Sequence, residues 1–168
     1  MNLQEYQKQA KRTCPSLGSE KLDLAHMMLG IHSEYVEFVE ATDKVNRGEE
    51  LADMYWYFAN YCTFRGYDLA FFDLKFAMHS KAITKVTSLL QDVVKKYIAY
   101  NRVIDKEVEQ KLLVDLMVTL KWVASEWGLK VEDILEKNIN KLKVRFPDKF
   151  TEEAANNRDL EAERKTLE

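Results

Sequence analysis

The stretch SEKLDLAHMMLGIHSEYVEFVEATDK, Ser19 to Lys44, decides how the rest of the chain is read. Its apolar positions Leu24, Met28, Ile31, Tyr35 and Val39 advance by four, three, four and four residues, the step of one face of an α-helix. Ser19 stands where an N-cap belongs, with a hydroxyl able to accept from an early helical N–H. The spacing predicts one long helix from Ser19 to about Lys44, ended by the turn Val45-Asn46-Arg47-Gly48.

Working outward, the same periodicity predicts a short helix over Asn2 to Thr13, ended near Cys14-Pro15, and a third from Glu49 to about Phe64, stopped by Arg65-Gly66. Asp68 or Asp73 opens a helical stretch to about Asn101, with a break near His79-Ser80. Asp105 caps a helix to Trp127, stopped by Gly128. The last clear helix runs from Val131 to about Val144, before Pro147. Phe58, Trp122, Trp127 and Cys62 are assigned to the core.

Composition agrees with this reading. The chain has 168 residues with five glycines and two prolines, against the roughly 20 that ordinary usage would supply. An all-β sandwich needs a turn every few residues and is excluded, as are collagen-like and linker compositions. Hydrophobic residues make up 46%, enough to close a core in one domain. The expected fold is all-α, a four-helix-bundle core of two helical hairpins plus terminal helices. The domain spans residues 1–147, and residues 148–168 form a polar C-terminal arm. In that arm Thr151 before Glu152 and Glu153 looks like a helix start. The arm is expected to lie on the body or on a partner subunit.

The 25 basic and 28 acidic residues leave a net charge of −3 without a long block of either sign. That argues against a nucleic-acid duplex as partner, which needs a concentrated basic face. No apolar run approaches the roughly 20 residues of a membrane span. Two distant cysteines, Cys14 and Cys62, suit a reduced, cytoplasmic protein.

The chain also shows internal similarity. Glu50-Leu51-Ala52-Asp53-Met54, with Gly66 thirteen residues after the aspartate, aligns with Leu112-Leu113-Val114-Asp115-Leu116 and Gly128. Upstream, Ser33 to Glu37 aligns with Gln91 to Lys95, with a connection four residues longer in the second copy. A duplicated hairpin accounts for this, and so does the apolar periodicity that all helical hairpins share.

The chemistry concentrates on two acidic pairs. Glu34 and Glu37 are spaced i, i+3, as are Glu50 and Asp53, so each pair shares a helix face bordering the apolar stripe. Gly30 and Met27 lie above the first pair on the same strip, and a glycine there leaves room beside the carboxylates. A short connection makes the two helices antiparallel, so four carboxylates converge. Like charges at close range disfavour ionisation, and a divalent cation relieves them. Hard oxygen ligands suit Mg²⁺, with Mn²⁺ as the alternative. The opposing reading is that these acids decorate solvated helix faces.

Glu34-Tyr35-Val36-Glu37 followed by Glu50-Leu51-Ala52-Asp53 resembles the motif of the all-α nucleoside triphosphate pyrophosphohydrolases, the MazG-like enzymes and dimeric dUTPases. Asn138-Ile139-Asn140-Lys141, with Arg145 following, is similar to the N-x-x-K…R motif of MazG-like proteins, and Asp148-Lys149-Phe150-Thr151 continues in the style of their phage and bacterial members. The resemblance covers most of residues 20–150. It implies Mg²⁺-dependent cleavage of a nucleoside triphosphate, a deoxynucleotide above all, to the monophosphate and pyrophosphate, with a role in nucleotide-pool house-cleaning. It makes Glu34, Glu37, Glu50 and Asp53 the metal ligands, with Glu34 and above all Glu37 catalytic, Glu37 orienting or deprotonating a water. Asn138, Lys141 and Arg145 would bind phosphate oxygens, against the alternative of a solvated basic face near a helix end.

In the second hairpin Lys95 and Leu112 replace two of the acids, so that half cannot hold the same metals. Lys95 is placed facing phosphate. Trp56 is a candidate to stack on the base, with Tyr57 beside it, although aromatics at helical spacing are more often core. Oligomerisation, as a dimer, also follows from the resemblance. His26, His32 and His79 lack the E-x-x-H pairs of a di-iron bundle, and the absence of a glycine-rich loop excludes P-loop chemistry. The rival functions are a non-catalytic nucleotide-binding module of the same fold and a plain helical protein-interaction module.

Overall fold

The computed structural model describes residues 1–73 and 82–168. The helices are α1 (Leu3–Arg12), α2 (Glu20–Glu40), α3 (Lys44–Phe64), α4 (Ile83–Tyr100), α5 (Lys106–Glu126), α6 (Val131–Arg145), α7 (Glu152–Asn156) and α8 (Leu160–Lys165), with a 3-10 turn over Leu69–Phe72 after α3. No strand occurs among the described residues, and no helix there is long and apolar enough to cross a membrane. The expected break near His79-Ser80 lies outside the described residues.

Side-chain caps start the helices. Ser19 accepts from the Leu22 N–H, Asp105 from Glu107 and Val108, and Thr151 from Ala154. The long second helix ends four residues sooner than its pattern suggests, at Glu40. Asp43 then accepts from the Asn46 N–H and caps α3. The segment Val45 to Gly48, expected as a turn, is therefore the start of α3. Gly48 is a helical residue under the next layer, where an added Cβ would meet Ile134 at 3.4 Å and Leu129 at 3.6 Å. Gly66 and Gly128 do end helices, with φ of 70° and 59°. Each lets the following N–H reach back to a carbonyl five residues earlier, Tyr67 to Cys62 and Leu129 to Ala124.

Helix α2 packs beside α3 and α4, and α5 beside α4 and α3, which closes a four-helix bundle. Helices α1 and α6 lie against α3, and α8 lies on α6. The core takes Leu24, Met28 and Ile31 from α2, then Phe38 in place of the expected Val39, which is exposed. A straight helix at 3.6 residues per turn has drifted by one position at that distance. Phe58 and Cys62 are buried as expected. Trp122 and Trp127 are not: they remain 50% and 44% exposed. The buried stripe of α5 runs through Leu113, Leu116, Leu120 and Ala124, which leaves Trp122 on the far face. Trp127 caps α5 and is covered by the Arg47 guanidinium, 3.6 Å from its ring centre.

One polar cluster ties the end of the bundle together. The fully buried Glu109 of α5 accepts from Arg65 Nε at 2.8 Å and Nη2 at 3.0 Å, and from the hydroxyls of Tyr61 at 2.6 Å and Tyr67 at 2.7 Å. Arg65 also reaches Glu20 at the start of α2, at 2.6 Å, and Tyr97 of α4 donates to the same Glu20 at 2.9 Å. All four bundle helices meet in this network. Removing one partner of a buried pair strands the other charge. Glu109→Ala is expected to lower stability by about 3–5 kcal/mol in urea unfolding. A loss below about 1 kcal/mol, the value of an exposed pair, would show that Arg65 is hydrated.

Candidate functional site

The two acidic pairs meet across the α2–α3 hairpin. The backbones approach closely because Gly30 of α2 receives the Tyr57 ring of α3, whose atoms lie 2.1 to 2.4 Å from where a Cβ at position 30 would be. The room expected beside the carboxylates is thus filled by a ring of the neighbouring helix. Trp56 stands edge-on to Tyr57, with ring centres 4.8 Å apart, and its indole N–H donates to Thr13 Oγ1 at 2.9 Å. Beside these rings lies a cavity of about 600 Å³, lined by Glu34, Glu37, Glu49, Glu50 and Asp53. Trp56, Tyr57 and His26 line it as well.

Glu34, Glu50 and Asp53 each offer a carboxylate oxygen within 4.8 Å of the others. Glu37 lines the same cavity from an exposed position on its rim, outside that trio. Burial, then the charges of Asp53, Glu37 and Glu50, push the Glu34 carboxyl up to about 8. Burial followed by Asp53, Glu49 and Glu37 raises Glu50 to about 7. These acids hold protons well into the neutral range, the mark of a site with more negative charge than its own cations balance. Three hard oxygen donors at this separation form a group able to hold a metal ion.

The predicted phosphate residues divide into three kinds. Lys141 is 1% exposed and binds Asp53 at 2.5 Å and Glu49 at 3.1 Å. Asn138 is also buried. Its amide donates to Asp53 at 2.5 Å, and its carbonyl oxygen accepts from the Tyr6 hydroxyl at 2.9 Å. Both therefore hold Asp53 from behind the cavity wall. Burial opposes the charge on Lys141, but Asp53 and Glu49 outweigh it and leave the ammonium harder to deprotonate than usual. Arg145 lines the cavity. Lys95 is not brought there: it is 62% exposed on α4 and pairs with its own neighbour Asp92 at 2.6 Å. The i, i+3 pair on α4 is satisfied locally, so nothing draws it across the bundle.

Sequence reasoning missed Glu49, Tyr6, Arg158 and Glu163. Glu49 was visible as the partner of Glu50 in an acidic doublet. Arg158 and Glu163 lie in the polar arm, where a charge pair five residues apart reads as solvated tail. His26 Nδ1 is buried without a partner among the described residues, and burial lowers its pKa. No family model, curated protein or solved structure matches the chain.

The raised acids make the stability depend on pH. A carboxyl whose folded pKa exceeds its unfolded value stabilises the fold fully below the unfolded value, and that stability is lost as pH rises through the folded one. For Glu34 and Glu50 the loss runs from about 4.5 up to about 8 and about 7. His26 works in the opposite sense, but only up to its ordinary 6.5. In chelator, the melting temperature is therefore expected to fall between about pH 6.5 and about pH 8.5, and Glu34→Gln should flatten the slope. An unchanged slope in that variant would contradict the assignment.

Proposed function

We propose that this chain is a Mg²⁺-dependent hydrolase that cleaves a nucleoside triphosphate to the monophosphate and pyrophosphate. The observation that carries the reading is the convergence of Glu34, Glu50 and Asp53 from two helices into one cavity that Trp56 and Arg145 also line. A scaffold gains nothing by facing half-buried carboxylates toward each other, whereas a cation bridged to a phosphate chain would balance them. The resemblance of the E-x-x-E and E-x-x-D pairs to the all-α pyrophosphohydrolases points the same way.

In this reading the trio holds the cation, which supplies charge neutralisation and an acidified water when bound. Glu37, on the rim, would orient a water and accept its proton. Lys141 and Asn138 keep Asp53 aimed. Arg145 meets phosphate oxygens, and the Trp56 face takes the base. A dimer belongs to the same reading and is measured by light scattering. One observation favours a second function, a module that grips a cation–nucleotide complex without cutting it: Glu37 stands apart from the other three acids.

Incubation with each NTP and dNTP, in Mg²⁺ and in chelator, separates the two. The hydrolase releases pyrophosphate only with the metal, and Glu37→Gln and Asp53→Asn should each slow turnover by on the order of a hundredfold or more. Metal-dependent binding without turnover would select the module. Neither binding nor turnover of any triphosphate would overturn both.

A further inference from the structure

We propose that the C-terminal arm completes the cavity with a two-arginine anion clamp, Arg145 and Arg158 aligned by Glu163, and that the ligand taken is a phosphate chain carrying a divalent cation. The inference rests on the cation-site reading above and adds the group that meets the other end of the ligand.

Arg145 comes from the last turn of α6 and Arg158 from the link between α7 and α8, and both line the cavity that holds the carboxylates. Between them lies Glu163 of α8, whose side chain is 3% exposed. It accepts from Arg145 Nε at 2.9 Å and Nη2 at 2.5 Å, and from Arg158 Nη2 at 2.7 Å and Nε at 3.4 Å. Burial disfavours charge on Glu163, yet the two guanidiniums hold its carboxyl down at about 2, so it stays ionised at neutral pH.

A guanidinium carries five N–H donors in a planar fork. Both arginines spend the same edge, Nε and Nη2, on Glu163. Among the described residues, Nη1 of each has no hydrogen-bond partner. Two cations against one carboxylate leave a positive charge in excess on this wall, while the wall of Glu34, Glu50 and Asp53 has an excess of negative charge. A ligand that suits both must bring a cation to one side and an oxyanion to the other. A metal-bound phosphate chain does so, and the free fork edges match its oxygens.

Arg158 is not needed to fasten the arm. Leu167 is buried, its carbonyl accepts from Lys137, and Arg164 bonds Asn46 at the start of α3. Nearer the body, the Phe150 N–H donates to the Arg12 carbonyl at 3.3 Å, and its ring lies 5.5 Å from that of Phe146.

Calorimetric titration of the full chain tests this, with Mn²⁺ alone and with inorganic tripolyphosphate in the presence and absence of Mn²⁺. Arg158→Ala is expected to weaken tripolyphosphate binding by about tenfold or more while Mn²⁺ affinity stays within about threefold. Lys165→Ala, on the same arm but exposed and paired with Glu161 of its own helix, should leave both unchanged. Tripolyphosphate affinity within about twofold of wild type in Arg158→Ala, or equal losses in the two variants, would overturn the clamp, as would no tripolyphosphate binding in either condition. Failure of the wild type to bind Mn²⁺ would bring down the cation site instead, and the metal-free titration would then decide the clamp alone.

Discussion

Asp53 is gripped from behind by a buried ammonium and a buried amide, and much of the molecule is arranged around that grip. Lys141 and Asn138 come one turn apart on α6. The Tyr6 hydroxyl of α1 closes the chain of bonds, its single proton shared between the carbonyl oxygens of Asn138 at 2.9 Å and Ala52 at 3.0 Å. A lysine with almost no solvent loses its hydration and survives as a cation only where carboxylates replace it. The outer helices α1 and α6 are thus held to the bundle at the point where α3 presents its acid. Taking away the lysine would leave Asp53 one more uncompensated charge in a site that already has too many.

The bundle treats its inward-facing acids in two opposite ways. At one end Glu109 is surrounded by an arginine fork and two phenols and has no lone pair pointed at open space. That is a closed structural network. In the α2–α3 cavity, half-buried Glu34 and Glu50 lie beside Asp53, and burial together with the neighbouring carboxylates pushes both carboxyls up. The same residue type on the same bundle is satisfied in one place and left in excess in the other, and the proposed cation site rests on that excess beside an accessible cavity.

What was legible in the chain was what local rules decide. Ser19, Asp105 and Thr151 cap helices because a hydroxyl or carboxylate before an apolar period has few other uses, and Gly66 and Gly128 end them by taking positive φ. The i, i+3 acids could be placed on facing helices because the period and the short connection leave no other geometry. The start of α3 was misread because Gly48 looks like a stop. Its true reason, the approach of Ile134 and Leu129, comes from residues more than 80 positions away. Lys141 and Arg145 share a helix and a charge, and only the tertiary packing separates a buried strut from a cavity-lining fork. Glu163 and Arg158 sit in a segment whose composition is that of a solvated tail, and no spacing rule announces that a docked arm will bury one and aim the other.

The contact between Gly30 and Tyr57 has a further meaning. Gly30 lies one turn before Glu34 on α2, and Tyr57 one turn after Asp53 on α3. The ring lying against bare backbone acts as a spacer of fixed thickness beside the acids, so it sets the bite between the oxygens of the two helices. Magnesium demands oxygen at about 2.0–2.1 Å, and calcium accepts about 2.3–2.6 Å in a looser shell. A gauge made of one aromatic ring and one missing side chain is stiff. In the proposed cation site, the choice among ions would then be governed by how closely two helices are allowed to approach, at a residue that offers no ligand atom of its own.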